Sequence, residues 1–133
     1  MSKYLYPALF EKEDCGYSVS FPDLEGCVTS GETLEEALEM AQDALCLMLY
    51  DMEESGQPAP KSSPVKSISA EGENFVSLVA CDTIEYRKFY DNKAVKKTLS
   101  IPSWLNTMAE RDGVNFSAVL QEGLKERLHI VDR

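Results

Sequence analysis

A chain of 133 residues can hold one ordinary domain or two small ones; a unit of about 90 residues can bury a modest core, whereas one of about 40 usually needs a partner chain. There is no run of about 18 apolar residues and no basic-then-apolar leader, so nothing suggests membrane insertion or secretion and a cytoplasmic protein is expected. The net charge of −10 would argue against nucleic acid, but it is unevenly spread: residues 1–93 hold 7 Lys/Arg and 18 Asp/Glu, residues 94–133 hold 6 and 5.

That asymmetry points to separate partners, a basic protein for the acidic first part and phosphates for the second. The four cysteines, Cys15, Cys27, Cys46 and Cys81, form no C-x-x-C pair, and the single histidine, His129, lies far along the chain from them. Such spacing favours reduced, partly buried thiols over a zinc site or a disulfide framework, so neither metal nor cofactor is expected.

In chain order, Tyr4, Leu5, Tyr6, Leu9 and Phe10 predict a first strand, and residues 11–16 a hairpin turn in which Gly16 takes positive φ. Tyr17, Val19 and Phe21 share one parity and Ser18 and Ser20 the other, as in a half-buried strand. Pro22-Asp23 makes a turn, and residues 26–29 supply a short third strand before Gly31. A helix follows, with Thr33 as N-cap and Glu36 completing a capping box. Leu34, Leu38, Ala41, Leu45, Met48 and Met52 form its apolar stripe, to pack on the sheet, with Glu35, Glu36, Glu39, Asp43 and Glu53 mostly off it. Gly56 and Pro58 stop this helix, and residues 58–64 read as an exposed connection. Residues 75–81 read as a buried strand and residues 83–90 as a helix. The order β-β-β-α-β describes a small α+β domain ending at Asp91-Asn92-Lys93.

Residues 94–133 predict one strand and two helices. The strand spans 94–101 and is closed by Pro102. Ser103 is expected to cap the first helix, which carries Leu105, Met108 and Ala109 on one side and ends at Gly113. Ser117 is expected to cap the second, where Leu120, Leu124 and Leu128 step by four. A lone strand leaves its backbone hydrogen bonds unmade, so pairing with the same strand of a second chain is predicted, giving a homodimer or higher even oligomer.

The run Lys-Lys-Thr-Leu-Ser-Ile-Pro at residues 96–102, then Ala-Glu-Arg-Asp-Gly-Val-Asn-Phe-Ser at 109–117 and an apolar helix, resembles a ribbon-helix-helix repressor domain. The resemblance implies an antiparallel ribbon in the major groove of operator double-stranded DNA. Strand parity then directs Lys96, Thr98 and Ser100 to base edges and turns Leu99 and Ile101 inward. Many relatives carry a basic residue where Ser100 stands, so base readout here departs from theirs. The backbone amides near Ser117 would clamp a phosphate.

The first part is similar to the HicB antitoxin domain. Tyr6-Pro7-Ala8, the run from Gly16 to Leu24, Gly26-Cys27-Val28-Thr29, Gly31 and Thr33-Leu34-Glu35-Glu36-Ala37 carry the likeness over residues 4–50. It implies a degraded ribonuclease-H-like fold and a small, basic, mRNA-cleaving HicA-type toxin as partner. Two-metal hydrolysis would need several converging carboxylates, yet residues 3–10 contain no acid, Asp23 sits in a turn and Asp82 stands alone at a strand end. No catalytic residue is therefore assigned. The sequence predicts residues 1–93 as a toxin-neutralising domain and residues 94–133 as a dimerising, DNA-binding domain that represses its own operon. Two rivals stay open: a free-standing ribbon-helix-helix repressor whose first domain dimerises or senses a ligand, and an active nuclease.

Overall fold

β1 (Lys3–Glu13) and β2 (Gly16–Ser20) form a hairpin around Asp14-Cys15, β3 (Val28–Gly31) pairs with β2, and β4 (Phe75–Asp82) pairs with β1. All three pairings are antiparallel, giving a four-stranded sheet in the order β3-β2-β1-β4. These details come from a computed structural model that describes residues 2–131, and the chain divides into two units between Lys93 and Ala94.

Helix α1 (Leu34–Ser55) lies across one face of the sheet. The even residues of β1 face it, so Tyr6, Ala8 and Phe10 join Val19, Val79 and Cys81 in the core. Phe10 stacks on its cross-strand partner Phe75 with ring centroids 4.9 Å apart. Pro7 is tolerated in a central strand because its missing N–H falls on the β2 side, beyond the last rung at Leu9↔Ser20. Gly16, at φ +139°, could not carry a side chain, since a Cβ there would lie 2.3 Å from the Gly31 carbonyl oxygen.

Thr33 caps α1, its hydroxyl accepting from the Glu36 N–H at 3.1 Å, and Gly56 closes it in the left-handed conformation at φ 74°. The expected stripe is partly wrong. Leu34 and Leu38 are exposed, and Ala37, Ala41, Leu45, Cys46, Leu49 and Met52 are the buried residues. The reason is close approach: a Cβ on Gly31 would sit 2.4 Å from the Ala37 nitrogen, so only small residues fit where the helix enters.

One further expectation changes. Strand β4 is an edge strand, half-covered, with Val79 and Cys81 buried and Leu78 exposed. The connection after α1 is mostly exposed, as expected, but tied down: the Tyr6 hydroxyl donates to the Pro60 carbonyl, and the Asp23 carboxylate accepts from the Ser63 N–H (2.9 Å) and hydroxyl (2.5 Å). It then makes one 3-10 turn (Val65–Ser67) before β4. Helix α2 (Thr83–Tyr90) packs on α1 and is capped by Asp82, which accepts from the Ile84 and Glu85 N–H groups.

In the second unit, α3 (Ser103–Arg111) and α4 (Phe116–Arg127) are joined through Gly113 at φ 68°. Residues 92–102 carry no regular element. The strand expected at 94–101 is therefore absent from the single chain, because a strand exists only as one side of a ladder and this unit supplies no other side.

Candidate functional site

The first unit gathers Glu53, Glu54 and Arg87 into a staple. The Glu53 carboxylate, near the end of α1, accepts from the hydroxyls of Tyr4 on β1 and Thr83 on α2, both at 2.9 Å, and from Arg87 at 3.1 Å. Burial alone would raise the Glu53 pKa; the hydrogen bonds to its carboxylate, those from Thr83, Tyr4 and Arg87 among them, outweigh it and hold the group down to about 2. Arg87 also pairs with Glu54 and lies over the Tyr50 ring, 4.6 Å from its centroid. The cluster pins α2 to the helix and sheet beneath it. Nothing in the sequence pattern announced this, since Glu53 reads as one more surface acid.

Carboxylates do not converge elsewhere. Asp23 holds the connection and Asp82 caps α2, and among the described residues no group of three or more His, Cys, Asp or Glu side chains could hold a metal ion. Cys27, Cys46 and Cys81 are buried free thiols and Cys15 is exposed. Cys81 is pushed well above the ordinary thiol range by its hydrogen bond with Cys46 and by burial, so it stays protonated.

The second unit holds the four residues singled out for DNA. Lys96, Thr98 and Ser100 lie in the segment without regular structure, all exposed, and Ser117 lies in the first turn of α4, also exposed. Ser117 is not the cap: Asn115 is, its side chain accepting from the Ala118 N–H at 3.0 Å. Asn is as good a cap as Ser and sits two positions earlier, a choice spacing alone left undecided. Ser103 likewise is the first residue of α3 after an N-cap at Pro102, which gives no side-chain bond.

Burial separates the two units most sharply. Neither α3 nor α4 has a buried residue. Leu99 (63% exposed), Leu105 (41%), Met108 (61%), Leu120 (38%) and Leu124 (52%) are all open. Their faces are amphipathic but lack anything to close against within the unit.

The family model described as "HicB_like antitoxin of bacterial toxin-antitoxin system" matches residues 6–121. An uncharacterised 14.9 kDa protein from the rep-hol intergenic region of Haemophilus phage HP1 is 33% identical over 101 residues, 76% of this chain and 75% of that one. Antitoxin HicB 1 of Photorhabdus laumondii is 36% identical over 99 residues, 71% of this chain and 60% of its own length. Among solved structures, a toxin-antitoxin complex from Streptococcus pneumoniae superposes with a TM-score of 0.61 at 31% identity, covering 94% of this chain and 99% of that one. The Burkholderia pseudomallei antitoxin HicB shares the fold, with a TM-score of 0.55 at 22% identity over 94% of this chain and 98% of that one. The chain belongs to the HicB-like antitoxin family.

Proposed function

We propose that this antitoxin has two working surfaces: residues 1–93 neutralise a HicA-type mRNA-cleaving toxin by direct binding, and residues 94–133 pair with a second copy to repress the operon by binding operator DNA. The observation that carries the reading is the contrast in burial, one unit closed on its own core and the other with most of its large apolar side chains exposed. A unit of about 40 residues with no buried side chain among the described residues reaches stability by sharing a core. The toxin-antitoxin complex from Streptococcus pneumoniae, 31% identical, supports a toxin as partner.

In this reading two copies of residues 94–101 form an antiparallel ribbon, which supplies the backbone partners each strand lacks alone. Leu99 and Ile101 close the shared core with α3 and α4, while Lys96, Thr98 and Ser100 face the groove. The first turn of α4 offers its amides, with Ser117 among them, to a phosphate. The assembly is a cytoplasmic homodimer or higher even oligomer without catalytic activity: carboxylates on the first unit stand in for the phosphates a toxin would otherwise grip.

Co-expression tests this reading. The full chain should rescue growth of cells making its HicA-type toxin, co-purify with it, and retard DNA from its own promoter. Residues 1–93 should rescue and co-purify but not retard DNA. Retardation of that DNA by residues 1–93 as strongly as by the full chain would contradict the assignment of the ribbon.

A further inference from the structure

β4 closes one side of the sheet, and the phase of its ladder fixes which peptide groups are free. The Thr83 N–H donates to the Ser2 carbonyl at 3.0 Å, and the Lys12 N–H to the Asn74 side chain at 2.9 Å. Even residues of β1 therefore face odd residues of β4, and the N–H and C=O groups of Val76 and Leu78 point away from the sheet. Ala80 shares that phase, but its carbonyl accepts from the Gln42 side chain of α1 at 3.2 Å, which closes that end of the edge. The Leu78 carbonyl meets only a long 3.4 Å contact from the adjacent Ser77 hydroxyl. Among the described residues no strand pairs with this side of β4.

Free edges normally carry a guard such as an inward charge, a proline or a bulge. Here residues 75–81 contain neither charge nor proline, and the register runs without a bulge from Lys3↔Asp82 to Phe10↔Phe75. The side chains beside the edge are apolar as well: Leu78 is 49% exposed and Leu5, on the same face, 55%, on either side of the fully buried Pro7, with the turn Val65–Ser67 packed against β4 nearby. Charge selects the occupant. Glu35 and Glu39 lie on the flank of α1 that carries Gln42, by helical spacing, while Asp82 stands at one end of β4 and Glu71 and Glu73 precede the other. A second copy would bring the same acids against this frame, whereas a basic chain is drawn to it.

We propose that the outer edge of β4 is a strand-addition site, taking an extended segment of the basic toxin into the sheet. It rests on the proposed function and names the element through which neutralisation works. Main-chain bonds at Val76 and Leu78 supply the affinity, and the Leu5–Leu78 surface takes alternate side chains of the incoming strand.

Amide hydrogen exchange on the full chain, alone and saturated with its co-expressed toxin, tests this. The Val76 and Leu78 amides should exchange quickly in the free protein and slow by at least about tenfold in the complex. Val76→Pro removes only a donor that points away from β1, and Leu78→Lys sets a positive charge against a basic chain; each should weaken toxin binding on the order of tenfold and leave melting and operator binding unchanged. A complex in which both amides still exchange freely, or to which both variants bind like the parent, overturns strand addition and leaves the proposed function standing. Absence of any complex overturns both. Protection that grows with protein concentration without toxin assigns the edge to a second copy and overturns the proposal.

Discussion

Helices α1 and α4 begin alike, each with a side-chain cap accepting from an N–H three residues on, yet α1 buries six residues and α4 none. The difference lies in what each chain segment is given to pack on. α1 has a sheet whose inner face presents Tyr6, Ala8, Phe10, Val19 and Val79. α4 has α3 and a segment with no regular structure, too little surface to close a core. Amphipathic pattern and capping thus decide that a helix forms; available surface decides whether it folds within its own chain.

The sharpest way to break this contrast is to cut each core. Leu45, fully buried in α1, should cost about 2–5 kcal/mol as Leu45→Ala, read as a drop in the first unit's denaturation midpoint that does not depend on protein concentration. Leu99→Ala should cost about as much, but in a core shared by two chains, so it should appear as dissociation on dilution and loss of operator binding with toxin binding intact. Concentration-independent behaviour of Leu99→Ala would remove the distinction.

Acid gives a third test, confined to the first unit. Glu53 titrates at about 2 in the folded chain against an ordinary 4.5, so its stabilisation is complete above the unfolded value and is lost as pH falls from about 4.5 towards 2. The shift sets an upper bound of about 3 kcal/mol, and Glu53→Gln should flatten that stretch of the stability curve. An unchanged acid limb would mean the staple adds nothing. The smallest effect is on readout: Thr98→Ala should weaken specific operator binding by about 1–3 kcal/mol per contact while leaving assembly and toxin neutralisation as they were. Breakage of the oligomer by Thr98→Ala instead would mean the strand register is off by one.

Local signals were legible in the sequence where the physics is local. The parity of Tyr17 and Val19 against Ser18 and Ser20, the Thr33 cap and the Gly56 stop all describe short-range geometry, and the structure has them. What depended on distant segments was not. The strand at 75–81 reads as buried because it is apolar, and only the sheet order puts it at an edge. Leu34 and Leu38 match the helical period, but Gly31 brings the backbone so close that Ala37 takes the inner place. In the candidate site, Lys96, Thr98 and Ser100 could be singled out by parity, whereas Asn115 and Ser117 compete for one cap by equal chemistry. Glu53 could not be found at all, since donors to it come from residues as distant as 4, 83 and 87.

Sedimentation of the full chain and of residues 1–93 across a hundredfold range of about 1 to 100 μM, with melting followed on the same samples, measures the central difference most directly. The account predicts an even oligomer for the full chain, with a transition that rises with concentration, and a monomer for residues 1–93, with a fixed transition. A monomeric full chain throughout, or self-association of residues 1–93 equal to that of the full chain, would contradict it.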